Sequence, residues 1–376
     1  MFLNTDRSPY RPADRALIGR AQAASVRDLL GFCPAHRATP LLPLAPLAAE
    51  LGLGGIHIKA EWRRMGLSSF KPLGGAYAVA LLVASQAEAA LGRAIRPDEL
   101  LSPAVRAVAR DLTVICASAG NHGLAIAAGA RAFGAQAIVY LSAAVPERFA
   151  IRLREQGATI ERAGATYEES MALAADAAER KGWHLVSDSS WPGYTQVPLD
   201  IMRGYTILLE EAADTLAAGG PASHVFVQAG VGGLAGAAIG YLRDRWGEDF
   251  RFVVVEPNGA PCLLESAQCG HPVRILGAAT SLGRLDCKEP SLLAFDLLSR
   301  LADAFMTVSD AAAEAAASRL ARLGAPVSSC GAAGAAGLIA ACGDAAVRRQ
   351  LGLDAGSRVL LIGTEAADFL IDNGQA

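Results

Sequence analysis

One lysine stands in a setting suited to cofactor chemistry. Lys71 lies in the stretch Ser68-Ser69-Phe70-Lys71-Pro72-Leu73-Gly74-Gly75-Ala76, and only four of the 34 basic residues are lysines, at positions 59, 71, 181 and 288. A lysine amine can form an imine with an aldehyde, whereas an arginine guanidinium cannot. The glycines and the apolar run that follow predict a helix start near 74, where backbone N–H groups favour anions and a neutral amine. The local residues also allow a solvated lysine at a helix start.

Two further loops repeat the pattern of a buried strand, a polar or glycine-rich turn and a helix. They are 118–123, which contains Asn121, and 229–236, which has glycines at 230, 232, 233 and 236. In open α/β sheets such turns meet at the carboxyl ends of the strands, where ligands bind. The 229–236 spacing matches neither a Walker loop nor a dinucleotide fingerprint, so a small phosphate fits it better, with a ligand-free tight turn as the alternative. The lysine, the phosphate loop and the asparagine loop together suggest pyridoxal phosphate.

The composition limits the classes of function. The 376 residues are enough for two domains, 52% of them are hydrophobic, and the net charge of −3 argues against binding to nucleic acid. The apolar segments 123–145 and 222–242 are interrupted by glycines, so no membrane span is expected. Seven cysteines without paired spacing indicate a cytoplasmic protein, and no His/Asp/Glu cluster has metal spacing, although a monovalent cation site stays open.

The predicted elements alternate between strands and helices. Strands are expected at 55–59, 113–117, 137–141, 157–160, 225–228, 251–256 and 358–362, and residues 1–38 are expected to form an arm over the surface. Helices are expected near 74–91, 146–156, 167–181, 196–218, 235–246, 260–268, 290–301 and 309–322, and from about 332. This alternation predicts α/β architecture with parallel sheets covered on both faces.

The chain resembles the fold-type II enzymes that use pyridoxal phosphate, the tryptophan synthase β and threonine dehydratase group, and within it the diaminopropionate ammonia-lyases. The motifs that carry the resemblance are Thr39-Pro40-Leu41, residues 64–75, Gly120-Asn121-His122-Gly123, Trp191-Pro192-Gly193-Tyr194-Thr195-Gln196-Val197-Pro198, and Gln228-Ala229-Gly230-Val231-Gly232. The resemblance implies two open parallel-sheet α/β domains with the cofactor in the cleft between them. Residues 1–75 and 200–376 would form the large cofactor-binding domain, and residues 76–199 the small one.

The resemblance also implies roles for single residues. Lys71 would link to pyridoxal phosphate as an imine and then serve as the base at Cα, and Asp188 would donate a proton to the leaving group. The cofactor would be bound by Phe70 behind its ring, Asn121 at the ring hydroxyl, Thr364 at the ring nitrogen, and the backbone of Gly230, Val231, Gly232, Gly233 and Leu234 at its phosphate. The substrate would be bound by the loop residues Ser118, Ala119, Gly120 and His122. From the residues alone, loop structure or a helix cap explains His122 better than a role as a base, and a cap of the turn before Trp191 explains Asp188 as well as a catalytic role does.

Three positions depart from the family pattern. Ala119 replaces an acid that the family uses with D-substrates, Ser328-Ser329-Cys330-Gly331 replaces a Glu-Ser-Gly motif, and Ala60 replaces an Asp. The relatives also carry cysteines at 262 and 287, where a disulfide is an alternative to two thiols. The departures indicate a diverged substrate and leave the cofactor residues intact.

The resulting expectation is a homodimeric lyase that releases ammonia and pyruvate by α,β-elimination from 2,3-diaminopropionate or a close L-amino acid. A serine/threonine dehydratase or a β-replacement synthase is the first alternative, because the 118–121 loop is similar to theirs. A non-catalytic protein that binds pyridoxal phosphate is the second alternative. Pyruvate release from a panel of amino acids distinguishes the enzymes, and cofactor absorbance without turnover would identify the non-catalytic protein.

Overall fold

The computed structural model describes residues 1–367, so the end of the predicted large domain, 368–376, lies outside the described residues. The strands are Phe2–Leu3 (β1), Leu41–Pro43 (β2), Gly55–Ala60 (β3), Thr113–Ala117 (β4), Gln136–Leu141 (β5), Thr159–Arg162 (β6), His184–Leu185 (β7), His224–Gln228 (β8), Arg251–Pro257 (β9), Ala304–Val308 (β10) and Arg358–Gly363 (β11). The helices are Pro12–Leu17 (α1), Arg20–Leu30 (α2), Ala45–Leu51 (α3), Lys71–Leu91 (α4), Pro103–Ala109 (α5), Asn121–Phe133 (α6), Glu147–Glu155 (α7), Tyr167–Lys181 (α8), Gln196–Leu216 (α9), Gly233–Trp246 (α10), Cys262–Cys269 (α11), Leu292–Leu301 (α12), Asp310–Arg322 (α13), Ser329–Gly343 (α14) and Ala345–Leu351 (α15).

The strands form two sheets. The smaller sheet has the order β6-β5-β4-β7 and is parallel throughout. The larger sheet has the order β1-β10-β9-β8-β11-β3-β2; its centre is parallel, and its two edge strands β1 and β2 are antiparallel. The α/β class is therefore confirmed, and the larger sheet is mixed rather than purely parallel. Because β4, β8 and β11 are parallel strands at sheet centres, the turns that follow them can face one ligand site.

Two regions differ from the sequence-based expectation. Residues 1–38 are not a simple arm: they contain β1, α1 and α2, and Ala23, Val26 and Leu30 on α2 are buried at helical spacing. The strand β10 was not predicted, because it follows α12 after only two residues, Ala302 and Asp303, a connection too short to be recognised as a turn in the sequence.

Close packing of α4 against α9 positions Lys71. A Cβ on Gly204 would lie 2.1 Å from the carbonyl oxygen of Leu73, and a Cβ on Gly74 would lie 2.5 Å from the Tyr205 ring. Both glycines therefore permit an approach that side chains would prevent. α4 begins at Lys71 itself rather than near 74, because Pro72 suits the first turn of a helix.

Among the described residues, one helix, α4, is long and apolar enough to cross a membrane, and the strongly bent pair α14 and α15 passes the same test only when taken together. Half of the apolar window of α4 is buried inside the protein, and α4 packs against α6 and α9. We therefore describe α4 as a core helix of the fold.

A buried ionic network holds the chain that leads from β3 to Lys71. Arg64 Nε donates to Glu61 Oε2 at 2.9 Å, and the Arg64 guanidinium also donates to Glu211 Oε2 on α9 at 2.7 Å. Arg64 and Glu61 have no solvent exposure. Met65 and Ser68 adopt positive φ angles of 51° and 60°, so the network fixes a segment with an uncommon backbone conformation.

Candidate active site

The structure separates the four lysines by their surroundings. Lys59 Nζ is buried and donates to the Thr39 carbonyl oxygen at 2.5 Å and to the Thr39 hydroxyl at 2.6 Å. Lys288 Nζ donates to Asp286 Oδ1 at 2.6 Å, and Lys181 is an exposed residue above the Trp183 ring. Of the four, only Lys71 pairs with Asp188, whose carbonyl oxygen lies 3.7 Å from the position of a Cβ on Gly233, the first residue of α10.

The Lys71 amine is paired with Asp188, which follows β7. Lys71 Nζ lies 2.5 Å from Asp188 Oδ2, and the two side chains are 23% and 20% exposed. Burial by itself lowers the pKa of Lys71, but Asp188 outweighs burial and holds that pKa above its usual value. Burial raises the pKa of Asp188, and Lys71 followed by His122 holds it below its usual range. Contrary to the expectation of a neutral amine at a helix start, Lys71 is an ammonium in this state because of Asp188.

The turn after β4 presents its residues along one side of this pair. The ring nitrogen Nε2 of His122 lies 2.8 Å from the Val186 carbonyl oxygen, and Nδ1 lies 3.8 Å from Asp188 Oδ2. Ser118 accepts a hydrogen bond from the Gly120 amide at 3.3 Å, and a Cβ on Gly120 would face open space. Ser118, Ala119 and Gly120 are partly exposed, whereas Asn121 and His122 are buried.

The glycine-rich turn joins β8 to α10. Gly232 has φ +98° and precedes the first residue of α10, Gly233. A Cβ on Gly232 would lie 3.1–3.2 Å from the buried side chains of Leu263, Ala294 and Leu298. Gly232 is therefore required by its backbone angle and by the packed helices behind the turn. The backbone N–H groups in the first turn of α10 have no acceptor within the helix, so they can bind an anion.

A Cβ on Gly230, at the other end of the turn, would lie 2.8 Å from Cys287 Sγ, and Cys262 Sγ donates to the Gly230 carbonyl oxygen at 3.7 Å. Both cysteines are free thiols in the structure. They cover the turn from behind and fix the path of its backbone.

The segment after β11 pairs with the Lys71 stretch. Phe70 N donates to the Thr364 carbonyl oxygen at 3.1 Å, and Ser69 forms an antiparallel bridge with Glu365. Gln228 Nε2 donates to the Thr364 hydroxyl at 3.0 Å. Because Gln228 Nε2 can only donate, the Thr364 hydroxyl keeps its own proton for another acceptor.

Two residues of the site were not assigned roles from the sequence. The ring of Tyr205 lies 4.7 Å from that of Phe70 in an edge-on arrangement, and Lys71 Nζ lies 5.7 Å from its centroid. The close packing of α4 on α9 at Gly74 and Gly204 brings the Tyr205 ring to this place. Glu365 accepts a hydrogen bond from Asn121 Nδ2, and no short-range signal connects residues 244 positions apart.

The site fits pyridoxal phosphate. Ser69 Oγ and His122 Nδ1 are buried and have no hydrogen-bond partner among the described residues, and Tyr205 Oη is a buried hydroxyl next to Lys71. A polar ligand can form hydrogen bonds with such groups, whereas burial without any partner would cost folding free energy. The lysine, the N-terminus of α10 and the free Thr364 proton match the aldehyde, phosphate and ring nitrogen of this cofactor. No group of three or more potential metal ligands occurs in residues 1–367.

Comparisons with known proteins identify the family. Pyridoxal-phosphate dependent enzymes match residues 33–365. A diaminopropionate ammonia-lyase of Salmonella typhimurium is 35% identical over 283 residues, covering 74% of this chain and 70% of the relative. A probable D-serine dehydratase of Acidovorax ebreus is 32% identical over 354 residues, covering 82% of this chain and 76% of the relative. The crystal structure of the Escherichia coli diaminopropionate ammonia-lyase in complex with D-serine has a TM-score of 0.88 at 28% identity, covering 100% of this chain and 95% of that chain. The chain therefore belongs to the fold-type II pyridoxal-phosphate dependent enzymes, in the group that includes diaminopropionate ammonia-lyase.

Proposed function

We propose that this protein is a lyase that eliminates ammonia from 2,3-diaminopropionate, or from a close L-amino acid with a β-nitrogen, to give pyruvate and ammonia. The observation that carries the proposal is the pairing of Lys71 with Asp188 at 2.5 Å beside the glycine-rich turn. The Salmonella and Escherichia coli relatives named above support the reaction class. When bound, pyridoxal phosphate supplies an electrophilic carbon for amines and a ring that delocalises the electrons released at Cα.

In this proposal Lys71 holds the cofactor and then takes the Cα proton. Phe70 would pack behind the ring, Asn121 would face the ring hydroxyl, Thr364 would donate to the ring nitrogen, and the backbone of residues 230–234 would bind the phosphate. The partly exposed residues Ser118, Ala119 and Gly120, together with His122, bind the substrate carboxylate. A neutral Thr364 hydroxyl leaves the ring nitrogen unprotonated, which favours elimination over transamination.

Asp188 selects the leaving group in this scheme. Lys71 must be neutral to act as a base, and Asp188 then loses the ammonium that balances its charge. An unbalanced carboxylate in a largely buried place is costly, so a substrate that carries its own cation there is favoured. The β-ammonium of 2,3-diaminopropionate supplies that cation and the serine hydroxyl does not. The β-ammonium departs as neutral ammonia and needs no proton from Asp188, whereas a departing hydroxyl would need one, which the ionised Asp188 does not hold.

The experiment compares two substrates in the native protein, two site variants and one control variant. Pyruvate and ammonia release are measured with L-2,3-diaminopropionate and with L-serine, for the native protein, Asp188→Asn and Lys71→Ala. We expect kcat/KM for diaminopropionate to fall by about 10²-fold in Asp188→Asn, and by much less for serine, because asparagine keeps the shape but cannot balance the β-ammonium. Lys71→Ala is expected to abolish both reactions, and Lys181→Ala, at an exposed lysine above the Trp183 ring, to leave both intact.

Equal losses for both substrates in Asp188→Asn would contradict the role in selection. A native protein that turns over serine better than diaminopropionate would favour the second candidate function, a serine dehydratase, which the Acidovorax relative supports. Absorbance of the bound cofactor without turnover of any amino acid would exclude both the ammonia-lyase and the serine dehydratase.

We further propose that the protein is a cytoplasmic homodimer in which 1–75 with 200–376 forms the large domain and 76–199 the small one. The seven free thiols are compatible with a reducing compartment. The boundary at 75 falls within α4, so the first turn of this helix would belong to the large domain and the rest of it to the small domain. Light scattering of the purified holoenzyme tests the dimer: a monomeric mass would contradict it.

A further inference from the structure

Glu365 is a buried carboxylate at the edge of the site to which the proposed chemistry gives no role. It is 3% exposed and follows β11 in the larger sheet. Its side chain accepts hydrogen bonds from Asn121 Nδ2 and from the Ser328 hydroxyl, and it lies 3.0 Å from Arg284 Nε. Three separate elements therefore converge on one carboxylate.

These contacts determine which end of the Asn121 side-chain amide faces Glu365. An ionised carboxylate only accepts hydrogen bonds, and the Arg284 guanidinium next to it favours the ionised form. The amide nitrogen of Asn121 must therefore face Glu365, because a flipped amide would place two acceptors against each other. The Asn121 oxygen and its second N–H are consequently presented in fixed directions.

The same contact joins the two sheets. Asn121 is the first residue of α6, after β4 of the smaller sheet, and it is 8% exposed. The backbone of Glu365 is held next to the cofactor lysine by the bridge to Ser69 and by the Ala366 amide, which donates to Ser68 at 2.9 Å. Glu365 therefore sets where the Asn121 amide lies relative to Lys71.

We propose that Glu365 is a positioning residue that orients the side-chain amide of Asn121 toward the ring of the cofactor. This inference rests on the proposed function only in that Asn121 contacts pyridoxal phosphate. Glu365 itself does not touch the cofactor or the substrate in this role. Its removal would leave Asn121 in place but free to rotate, and the cofactor would lose an oriented partner.

A double-mutant cycle on cofactor binding tests the proposal. Apo forms of the native protein, Asn121→Ala, Glu365→Ala and the double variant are titrated with pyridoxal phosphate, and the visible band of each bound form is followed with pH. We expect Glu365→Ala to weaken binding at least about tenfold and to shift the pH dependence of the band. In the Asn121→Ala background the same change should have almost no further effect, because the two residues act as one unit.

Two other variants separate positioning from general stability. Glu365→Gln keeps an oxygen acceptor for Asn121 and is expected to restore most of the affinity, so it also keeps the test valid if Glu365→Ala fails to fold. Asp303→Asn alters a buried carboxylate paired with Arg243 at 2.8 Å at the start of β10, and it should combine additively with Asn121→Ala. Equal effects of Glu365→Ala with and without Asn121, or unchanged binding in Asn121→Ala, would overturn the proposal. No amino-acid substrate is present, so a failure of the elimination assay leaves this result unaffected.

Discussion

Replacing Gly232 by alanine should show how strongly the turn before α10 depends on a glycine. Gly232 has φ +98°, and a non-glycine residue held in a sparsely populated backbone region costs about 1–3 kcal/mol. The new Cβ would lie 3.1–3.2 Å from Leu263, Ala294 and Leu298, all with 0% exposure, so these neighbours cannot move into solvent. Crowding of this kind costs about 1–3 kcal/mol more. We therefore expect a total loss of at least about 2 kcal/mol from the holoenzyme.

The loss is divided between stability and affinity in a way that can be measured. If the turn keeps its conformation without cofactor, the apo protein loses the whole amount in urea unfolding. If the turn relaxes, the apo protein stays stable, but binding must restore the strained form, and the affinity for pyridoxal phosphate falls by about 30-fold for 2 kcal/mol. The assays are urea unfolding of the apo protein and titration of it with pyridoxal phosphate.

Gly134→Ala is the matched control. Gly134 also has a positive φ, +86°, at the far end of α6, and its Cβ would meet only Arg106 at 3.6–3.8 Å. It should therefore show the backbone cost without crowding and without any change in cofactor affinity. Native affinity together with native stability in Gly232→Ala would refute the reasoning, as would an equal loss of affinity in Gly134→Ala.

Two further predictions concern stereochemistry and pH. Since Ala119 replaces the acid that the resembling lyases use for D-substrates, turnover of D-2,3-diaminopropionate should be at least about a hundredfold below that of the L-isomer, and Ala119→Asp should raise it; equal rates of pyruvate release from both isomers in the native protein would contradict this. His224 is 4% exposed, and burial lowers its pKa in the folded protein. Below about pH 6.5 this histidine therefore binds a proton more readily in the unfolded chain than in the folded protein. Stability should therefore fall as the pH drops below that value, and His224→Gln should flatten the dependence of the unfolding free energy on pH by up to about 1.4 kcal/mol per unit, measured by urea unfolding at several pH values; an unchanged slope would count against it.

The elements that could be predicted carry their signals locally. α8 was expected at 167–181 and is found at those residues, because Thr166 caps its start and Gly182 ends it in a left-handed conformation. The α/β class followed from strands and helices that alternate at ordinary lengths. The strand β10 has no comparable signal, since only Ala302 and Asp303 separate it from α12.

The contacts that make the site were not predictable in the same way. Lys71 and Asp188 are 117 residues apart, and their pairing depends on the packing of α4, α6 and the smaller sheet. Glu211 looks like a surface acid on an amphipathic helix, yet it completes the buried network around Arg64. Sequence spacing indicates which loops reach the same edge of a sheet. Which charged side chains then contact each other depends on how the two sheets pack together.

His122 does not balance the negative charge of Asp188, so that charge is available to bind the substrate. Its Nε2 faces the carbonyl oxygen of Val186, which can only accept, so the neutral ring carries its proton on Nε2 and turns a lone pair toward Asp188. Burial is the main cause that lowers the pKa of His122; Asp188 raises it, and Lys71, while it is charged, lowers it further. In this tautomer the ring presents an acceptor to Asp188, so it does not donate a hydrogen bond to the carboxylate. The carboxylate then has to be balanced by what enters the cleft, and a β-ammonium balances it while a hydroxyl does not.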